Sequence, residues 1–169
     1  MSSFALNLLF AATLSVLLVA GLVRAGVAGA TDRPSRLGAP LLAVVWALAV
    51  GFMTLRPGSG LGVRLNLVPL LFDGPGSAVD AVLNLFVFVP LGVLLVAAGL
   101  RFAPTLLIGL GSTLAIEITQ YATDAGRTAD INDVITNTAG ACLGWAVAWS
   151  VRALARRAAA APSVAISRP

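Results

Sequence analysis

The sequence predicts an all-α fold, a polytopic transmembrane bundle of about five helices with its N-terminus outside and its C-terminus in the cytoplasm. Two observations carry this prediction. The chain of 169 residues is 59% apolar and only 11% charged, with a mean hydropathy of +0.97, whereas a soluble domain carries about a quarter charged residues. The apolar residues also form long runs with arginines between them, which is the pattern of a chain that crosses a bilayer several times.

Five apolar stretches are long enough to be spans, because a bilayer core takes about 17 to 25 residues of helix. In chain order they run from Phe4 to Val23, Gly38 to Leu55, Val82 to Leu100, Ala103 to Thr123 and Val134 to Val151. The first stretch has no basic residue before it, and Arg24 directly follows it. That order is wrong for a secretory signal, so we expect a retained helix.

The arginines of the loops determine the predicted orientation. The first loop contains three, the second two, the third and fourth one each, and the tail four. Placing the first loop, the third loop and the tail in the cytoplasm leaves eight arginines inside and three outside, as the positive-inside rule favours. Six of the seven acids then lie outside or in the outer part of a helix.

Nothing in the sequence indicates a second, soluble domain. We divide the chain into residues 1–55, with two helices and a cytoplasmic loop, residues 56–151, a core with an extracytoplasmic polar cluster, and residues 152–169, an Arg- and Ala-rich cytoplasmic tail that continues the last helix for a few turns. Within the second loop, the stretch from Leu65 to Phe72 is apolar but too short to span. We expect it to lie at the interface or to fold back between the helices.

The amino-acid composition excludes several kinds of catalytic and metal-binding site. The chain has no histidine, which excludes a Ser-His-Asp triad and His-ligated zinc or haem. Cys142 is the only cysteine, so disulfide frameworks and thiolate metal clusters are also excluded. The formal charge of +4 does not indicate a nucleic-acid partner, because most arginines flank apolar segments. Any chemistry must use carboxylates, arginines, amides and hydroxyls, and no cofactor is identified.

Polar side chains inside apolar helices are costly, so each is a candidate for function. Helical spacing places Asp80 and Asn84 on one face, and Thr113, Glu117 and Gln120 on another. The predicted topology brings these faces and two loops to one level near the outer surface. We predict a ligand site there, formed by Arg64, Asn66, Asp80, Asn84, Glu117, Gln120, Arg127, Asp130, Asp133 and Asn137.

The same residues also have a structural interpretation. Arg64 or Arg127 could pair with the acids in an ion-pair network that only holds the helices together. Asp130 or Asn132 lies where the N-cap of the last helix is expected. Gly140 and Gly144 are four residues apart, which predicts a face for close helix packing.

Four spaced motifs follow one another between Arg64 and Gly144. They are Arg64-x-Asn66-Leu67-x-Pro69, Asp80-x-x-x-Asn84-x-x-x-Phe88-x-Pro90-Leu91-Gly92, Ser112-x-x-x-x-Glu117-x-x-Gln120 and Arg127-x-x-Asp130-x-x-Asp133-x-x-x-Asn137-x-x-Gly140-x-x-x-Gly144. With these motifs the chain from Arg56 to Val151 resembles the VanZ-like family of bacterial membrane proteins. Many members have an aromatic residue after the proline of the first motif, whereas this chain has Leu70, with Phe72 two residues later.

The resemblance implies a location in the bacterial cytoplasmic membrane and a connection with resistance to teicoplanin-type glycopeptides, with which the founding member is associated. We expect an outward-facing pocket that binds a lipid-linked cell-wall precursor or a lipoglycopeptide. Arginines would bind an anionic group of this ligand, and carboxylates would orient the arginines or bind a cationic group. Membrane lipid is the other expected partner.

Three alternatives stay open at this point. The first is a membrane-embedded envelope enzyme, in which Glu117, Asp130 and Asp133 act as acid and base or hold Mg²⁺ or Ca²⁺. The second is a transporter or flippase subunit, which would need a homo-oligomer, with the Gly140 and Gly144 face as one contact. The third is a helical scaffold whose polar cluster has no ligand.

Overall fold

The computed structural model describes residues 3–58, 65–69, 75–124 and 126–161. The helices and short strands follow one another along the chain as α1 (Ser3–Thr31), α2 (Gly38–Thr54), β1 (Leu65–Asn66), α3 (Pro75–Ala97), α4 (Phe102–Thr123), β2 (Ala129–Asp130) and α5 (Ile131–Ala160). The predicted all-α fold with five helices is confirmed. Four of them are long and apolar enough to cross a membrane. The exception, α2, has 17 residues and is therefore about 26 Å long, slightly less than a hydrocarbon core of about 30 Å.

The helices extend further than the apolar stretches that predicted them. α1 continues past Val23 to Thr31, α3 begins before Val82 at Pro75, and α5 continues past Val151 to Ala160. Hydropathy marks only the part of a helix that suits lipid, whereas backbone hydrogen bonding continues into the polar residues at its ends. The predicted helical continuation of the tail is thus confirmed.

Successive helices run in opposite directions, which gives the bundle two distinct ends. At one end, here called the polar end, α2 and α4 finish and α3 and α5 begin. The Gln120 amide of α4 donates there to the Thr54 carbonyl of α2, at 2.8 Å. At the other end, here called the arginine end, α1, α3 and α5 finish and α2 and α4 begin. The Ser35 N–H donates there to the Ala97 carbonyl, at 2.9 Å.

α3 and α5 form the most extensive helix pair, and glycines let their backbones touch. A Cβ atom at Gly140 would lie 2.1 Å from the Leu85 carbonyl oxygen, and one at Gly144 would lie 2.1 Å from that of Val89. Gly92 of α3 faces the backbone of α5 in the same way. The predicted close packing is confirmed. Since this face already packs on α3 within the chain, it is not available as the oligomer contact considered above.

α1 and α2 complete the bundle. α1 packs against both α5 and α3, and α2 packs against α3. Phe88, Leu94, Leu17, Trp46 and Val50 form one buried cluster. The Trp46 ring meets the Phe88 ring edge-on, with centroids 5.0 Å apart. Its indole N–H donates to a backbone carbonyl of α3 at 2.8 Å, so the polar atom of this buried tryptophan is satisfied.

The second loop joins the bundle through a short parallel pairing. Leu65 and Asn66 of β1 lie opposite Ala129 and Asp130 of β2. The two extended segments pair through their backbones, so this part of the loop folds back onto the segment before α5. Two-residue strands have no periodicity, which is why the sequence did not predict them. The rest of this apolar stretch, residues 70–72, lies outside the described residues.

The glycine contact between α3 and α5 predicts a position-specific loss of stability. We expect Gly140→Ala and Gly144→Ala each to lower the free energy of unfolding by about 1–3 kcal/mol, because the added methyl group must push two backbones apart. Gly111→Ala on α4 is the matched control, since nothing lies within 4 Å of a Cβ there. Unfolding in detergent would measure all three variants. A loss at Gly111 equal to that at Gly140 would contradict this account.

Candidate functional site

Asp130 connects three elements at the polar end. As the N-cap of α5, its Oδ1 accepts the backbone N–H of Asn132 at 2.8 Å, as predicted for a residue at the start of this helix. Its Oδ2 accepts the Asn66 side-chain amide of β1 at 3.1 Å. Its own backbone N–H donates to Glu117 Oε2 of α4 at 2.8 Å. One residue thus joins β1, α4 and α5.

The polar stripe of α4 faces the interior of the protein. Thr113, Glu117 and Gln120 are all buried, and each bonds to a different element. Glu117 accepts from the backbone of β2, and Gln120 donates to that of α2. Thr113 Oγ1 accepts the Asn137 side-chain amide of α5 at 3.0 Å. Buried polar groups need such partners, so the stripe holds α4 in its orientation.

A second connection joins α3 to α5. The Asn84 side-chain amide donates to Asp133 Oδ1 at 2.7 Å. Asp80 lies one helical turn before Asn84, on the same face, and is exposed. A hydrogen bond to an ionised carboxylate is shorter and stronger than one between neutral groups, so this contact determines how the two helices are aligned where they begin.

Arg127 is exposed and is oriented by the backbone. Its Nε–H donates to the Arg56 carbonyl, at 2.9 Å. Among the described residues, none of the arginines lies within ion-pair distance of Glu117, Asp130 or Asp133, and the ion pair that the described residues contain is at the arginine end. This part of the chain therefore gives the predicted ion-pair network no support. Arg64, the other predicted arginine, lies outside the described residues.

Two cavities meet at this end. The polar cavity, of about 340 Å³, lies between the first turns of α3 and α5. The apolar cavity, of about 590 Å³, lies between α1, α2 and α3. Leu83, Asn84 and Arg127 line both of them. The polar cavity is also lined by Ser77, Asp80, Thr128, Asp130, Asn132 and Asp133.

The structure brings most of the predicted site residues to one end. Asp80, Asn84, Arg127, Asp130 and Asp133 line the polar cavity. The others are placed behind it or deeper in the bundle. Asn66, Glu117 and Gln120 support the surrounding elements, and Asn137 lines the apolar cavity. The binding of a ligand by these residues stays a prediction.

Asn132 is a polar-cavity residue that the sequence reasoning did not include in the site. It is buried, and its side-chain amide donates to the Val68 carbonyl at 3.1 Å and to Asp130 Oδ1 at 2.9 Å. It therefore holds the second loop against the start of α5. Its position two residues after the helix cap was the available signal, but the partner on the loop is distant in sequence.

The described residues do not form a set of metal ligands. No three acidic or sulfur side chains of this part of the chain converge as an ion would require. Of the three carboxylates considered for Mg²⁺ or Ca²⁺, Glu117 and Asp130 accept backbone N–H groups and Asp133 accepts the Asn84 amide. Because these three carboxylates do not converge as a group that could surround one ion among the described residues, the geometry does not favour the metal hypothesis.

The Asn84–Asp133 hydrogen bond predicts energetic coupling between α3 and α5. In a double-mutant cycle with Asn84→Ala and Asp133→Ala, we expect a coupling free energy of about 1.5–3 kcal/mol, the usual range for a hydrogen bond to a charged group. A cycle that combines Asn84→Ala with Asp124→Ala is the control, and it should be additive within about 0.5 kcal/mol. Denaturant titration of the detergent-solubilised protein gives the free energies. Additivity in the first cycle would contradict the prediction.

Comparison with known proteins identifies the relatives of this chain. The family model described as VanZ/LLP1 matches residues 35–154. Protein VanZ of Enterococcus faecium is 39% identical over 82 residues, which are 47% of this chain and 49% of that protein. The chain thus matches about half the length of this curated relative. No solved structure matches the chain. Because the family model covers well over half of the sequence, the chain belongs to the VanZ-like family.

Proposed function

We propose that this chain is a multi-pass protein of the bacterial cytoplasmic membrane that binds a lipid-linked ligand of the cell envelope at its polar end, and so contributes to resistance to teicoplanin-type glycopeptides. The observation that carries the proposal is the junction of the polar and apolar cavities at Asn84 and Arg127. A ligand with a polar head and an apolar chain matches two adjoining cavities of opposite character.

The polar cavity would bind the head of the ligand. Asp80 and Asp133 offer carboxylates to a cationic group, and Arg127 offers a planar guanidinium to a phosphate or carboxylate. The backbone contact of Arg127 with Arg56 holds that guanidinium in place before a ligand arrives. Preorganisation of this kind lowers the cost of binding.

The apolar cavity would bind the chain of the ligand. Phe10, Leu14 and Leu18 of α1 line one wall, and Phe86 of α3 contributes to the other. Asn137 lies deeper, and its Oδ1 is buried with no hydrogen-bond donor among the described residues. Buried acceptors are normally satisfied, so this atom supports the proposal that a ligand or a water molecule completes the cavity.

The charge distribution supports an orientation that makes this site accessible from outside. Eight arginines of the sequence belong to the first loop, the third loop and the tail, and the positive-inside rule places such segments in the cytoplasm. The polar end would then face the outer side of the membrane. Lipid-linked cell-wall precursors and glycopeptide antibiotics are both encountered there.

The proposal predicts a loss of resistance without a loss of protein. In a susceptible host that expresses this chain, Arg127→Ala removes the guanidinium of the cavity. Glu117→Gln replaces a buried carboxyl group that supports the cavity by an amide, whose oxygen can still accept the Asp130 N–H. We expect each variant to reduce the minimal inhibitory concentration of teicoplanin to that of the empty-vector strain. The loss of one charge-assisted contact corresponds to roughly 10-fold to 100-fold weaker binding.

Asp124→Asn is the matched control for this experiment. Asp124 is at the same end and is exposed, and its positive φ of 49° is a conformation that asparagine adopts readily. Membrane abundance should be measured for every strain. Unchanged resistance in both Arg127→Ala and Glu117→Gln would exclude the proposed site, and losses that follow abundance alone would favour a scaffold.

The apolar cavity predicts a second effect that is specific to ligands with a chain. Ala11→Phe places a ring in the cavity, whereas Ala12→Phe places the same ring on an exposed face of α1 that does not line it. With farnesyl phosphate as the probe and the protein in nanodiscs, we expect Ala11→Phe to weaken binding about 10-fold and Ala12→Phe to change it less than twofold. Calorimetric titration would measure both. Equal affinities would rule out a chain in this cavity.

A further inference from the structure

The arginine end contains a cavity of its own, here called the arginine cavity. It has a volume of about 530 Å³ and lies between the start of α4 and the last turns of α5. Four arginines and two tryptophans line it, together with the turn that precedes α4. They are Arg101, Arg152, Arg156, Arg157, Trp145 and Trp149. No residue of the candidate site at the polar end belongs to this set.

The arginine cavity has more cations than carboxylates to balance them. Arg156 pairs with Asp32, at 2.6 Å and on an exposed surface. Asp32 is the only acidic residue at this end in the part of the chain that the structure describes. Arg152 has its Nε buried without a hydrogen-bond partner among the described residues. Bringing like charges together is unfavourable, and an anion between them removes that cost.

The start of α4 adds further hydrogen-bond donors. Arg101 is its N-cap, and its side chain makes no capping hydrogen bond within the described chain. Pro104 has no N–H, and the Thr105 N–H donates to the Arg101 carbonyl at 3.2 Å, so the N–H groups of Phe102 and Ala103 are left for another partner at the start of this helix of 22 residues. Such groups, with the positive end of the helix dipole, favour an oxyanion such as phosphate. They support the arginines rather than replace them.

The tryptophans give the cavity an apolar wall. Their indole rings are stacked, with centroids 5.9 Å apart and an angle of 15° between planes, and Phe102 packs edge-on against Trp145. Trp145 Nε1 is buried with no acceptor among the described residues. Trp145 precedes Arg152 by two turns of α5, about 10 Å along the helix axis. The wall therefore extends from the arginines towards the middle of the bundle.

From these contacts we infer that the arginine cavity binds the phosphate head group of an anionic membrane lipid. The guanidinium groups and the start of α4 hold the phosphate. The indole rings contact the glycerol and the first carbons of the acyl chains, as amphipathic aromatic rings do at a membrane interface. Basic pockets between membrane helices bind anionic lipid in this way. The inference does not depend on which leaflet the cavity faces, because both contain phosphate.

The test compares two pairs of arginines at the same end. Arg101→Gln with Arg157→Gln removes two charges from the lining, and Arg33→Gln with Arg36→Gln removes two charges from the first loop, outside it. All four side chains are exposed, so both double variants should fold. Circular dichroism and gel filtration would check folding.

Binding is measured with phosphatidylglycerol that carries brominated acyl chains, added to protein in zwitterionic detergent. Bromine quenches tryptophan fluorescence at short range, and Trp145 and Trp149 are two of the three tryptophans in the chain. We expect saturable quenching in the unmodified protein. The apparent Kd for the lipid should be at least 10-fold higher in the double variant Arg101→Gln with Arg157→Gln. It should change less than twofold in the double variant Arg33→Gln with Arg36→Gln. Brominated phosphatidylcholine should quench weakly and without saturation.

Three outcomes would overturn the inference. Equal weakening in the two double variants would show general attraction of anionic lipid to a basic surface. Equal quenching by phosphatidylcholine, whose phosphate is balanced by the choline cation, would show that the net negative charge of the lipid is not recognised. Displacement of the lipid by soluble glycerophosphoglycerol at matching concentration would show that the cavity binds a free phosphate ester rather than a lipid.

Discussion

The backbone contact between α3 and α5 is the constraint on which the rest of the structure depends. Gly92, Gly140 and Gly144 let the two helices approach to van der Waals distance along their buried faces. Once the axes are this close, the first turns of the helices meet as well, and Asn84 reaches Asp133. α1 then packs on α5 and α3, α2 packs on α3, and α4 packs on α5. In lipid, where apolar side chains gain little by leaving the solvent, small residues of this kind drive helix association.

At the polar end, the main constraint is that buried polar groups of the backbone and side chains need hydrogen-bond partners. Asp130 caps α5, accepts from β1 and donates to α4, so loops that would otherwise be costly at membrane depth are bonded to helices. The carboxylates of Glu117 and Asp130 are thus occupied by hydrogen bonds, whereas Asp80 and Arg127 are exposed. A binding site needs both kinds of group. Hydrogen-bonded side chains keep the surrounding elements rigid, and a few exposed side chains are available to bind the ligand.

The two ends of the bundle combine polar and apolar surface in different ways. The polar end has carboxylates, amides and one oriented guanidinium beside an apolar cavity, whereas the arginine end has guanidiniums beside stacked indoles. Both arrangements suit molecules with a charged head and an apolar chain. Carboxylates outnumber guanidiniums in the lining of the polar cavity, whereas guanidiniums alone provide the charges in the lining of the arginine cavity. A single chain of 169 residues thus combines the proposed recognition of an envelope ligand at one end with the inferred binding of an anionic lipid at the other.

The sequence by itself determined the helices, their order and their close glycine contact, because hydropathy and four-residue spacing are local properties that survive in any membrane bundle. It also placed Glu117 and Gln120 on one face of α4 and indicated Asp130 or Asn132 as the cap of α5, and the structure shows that this face is buried and that the cap is Asp130. Only the tertiary structure decided the partners. The pairing of β1 with β2, the Asn132 contact with the second loop and the junction of cavities at Arg127 all join residues distant in the chain. Which polar group bonds to which depends on the distances that helix packing creates, and no local pattern contains those distances.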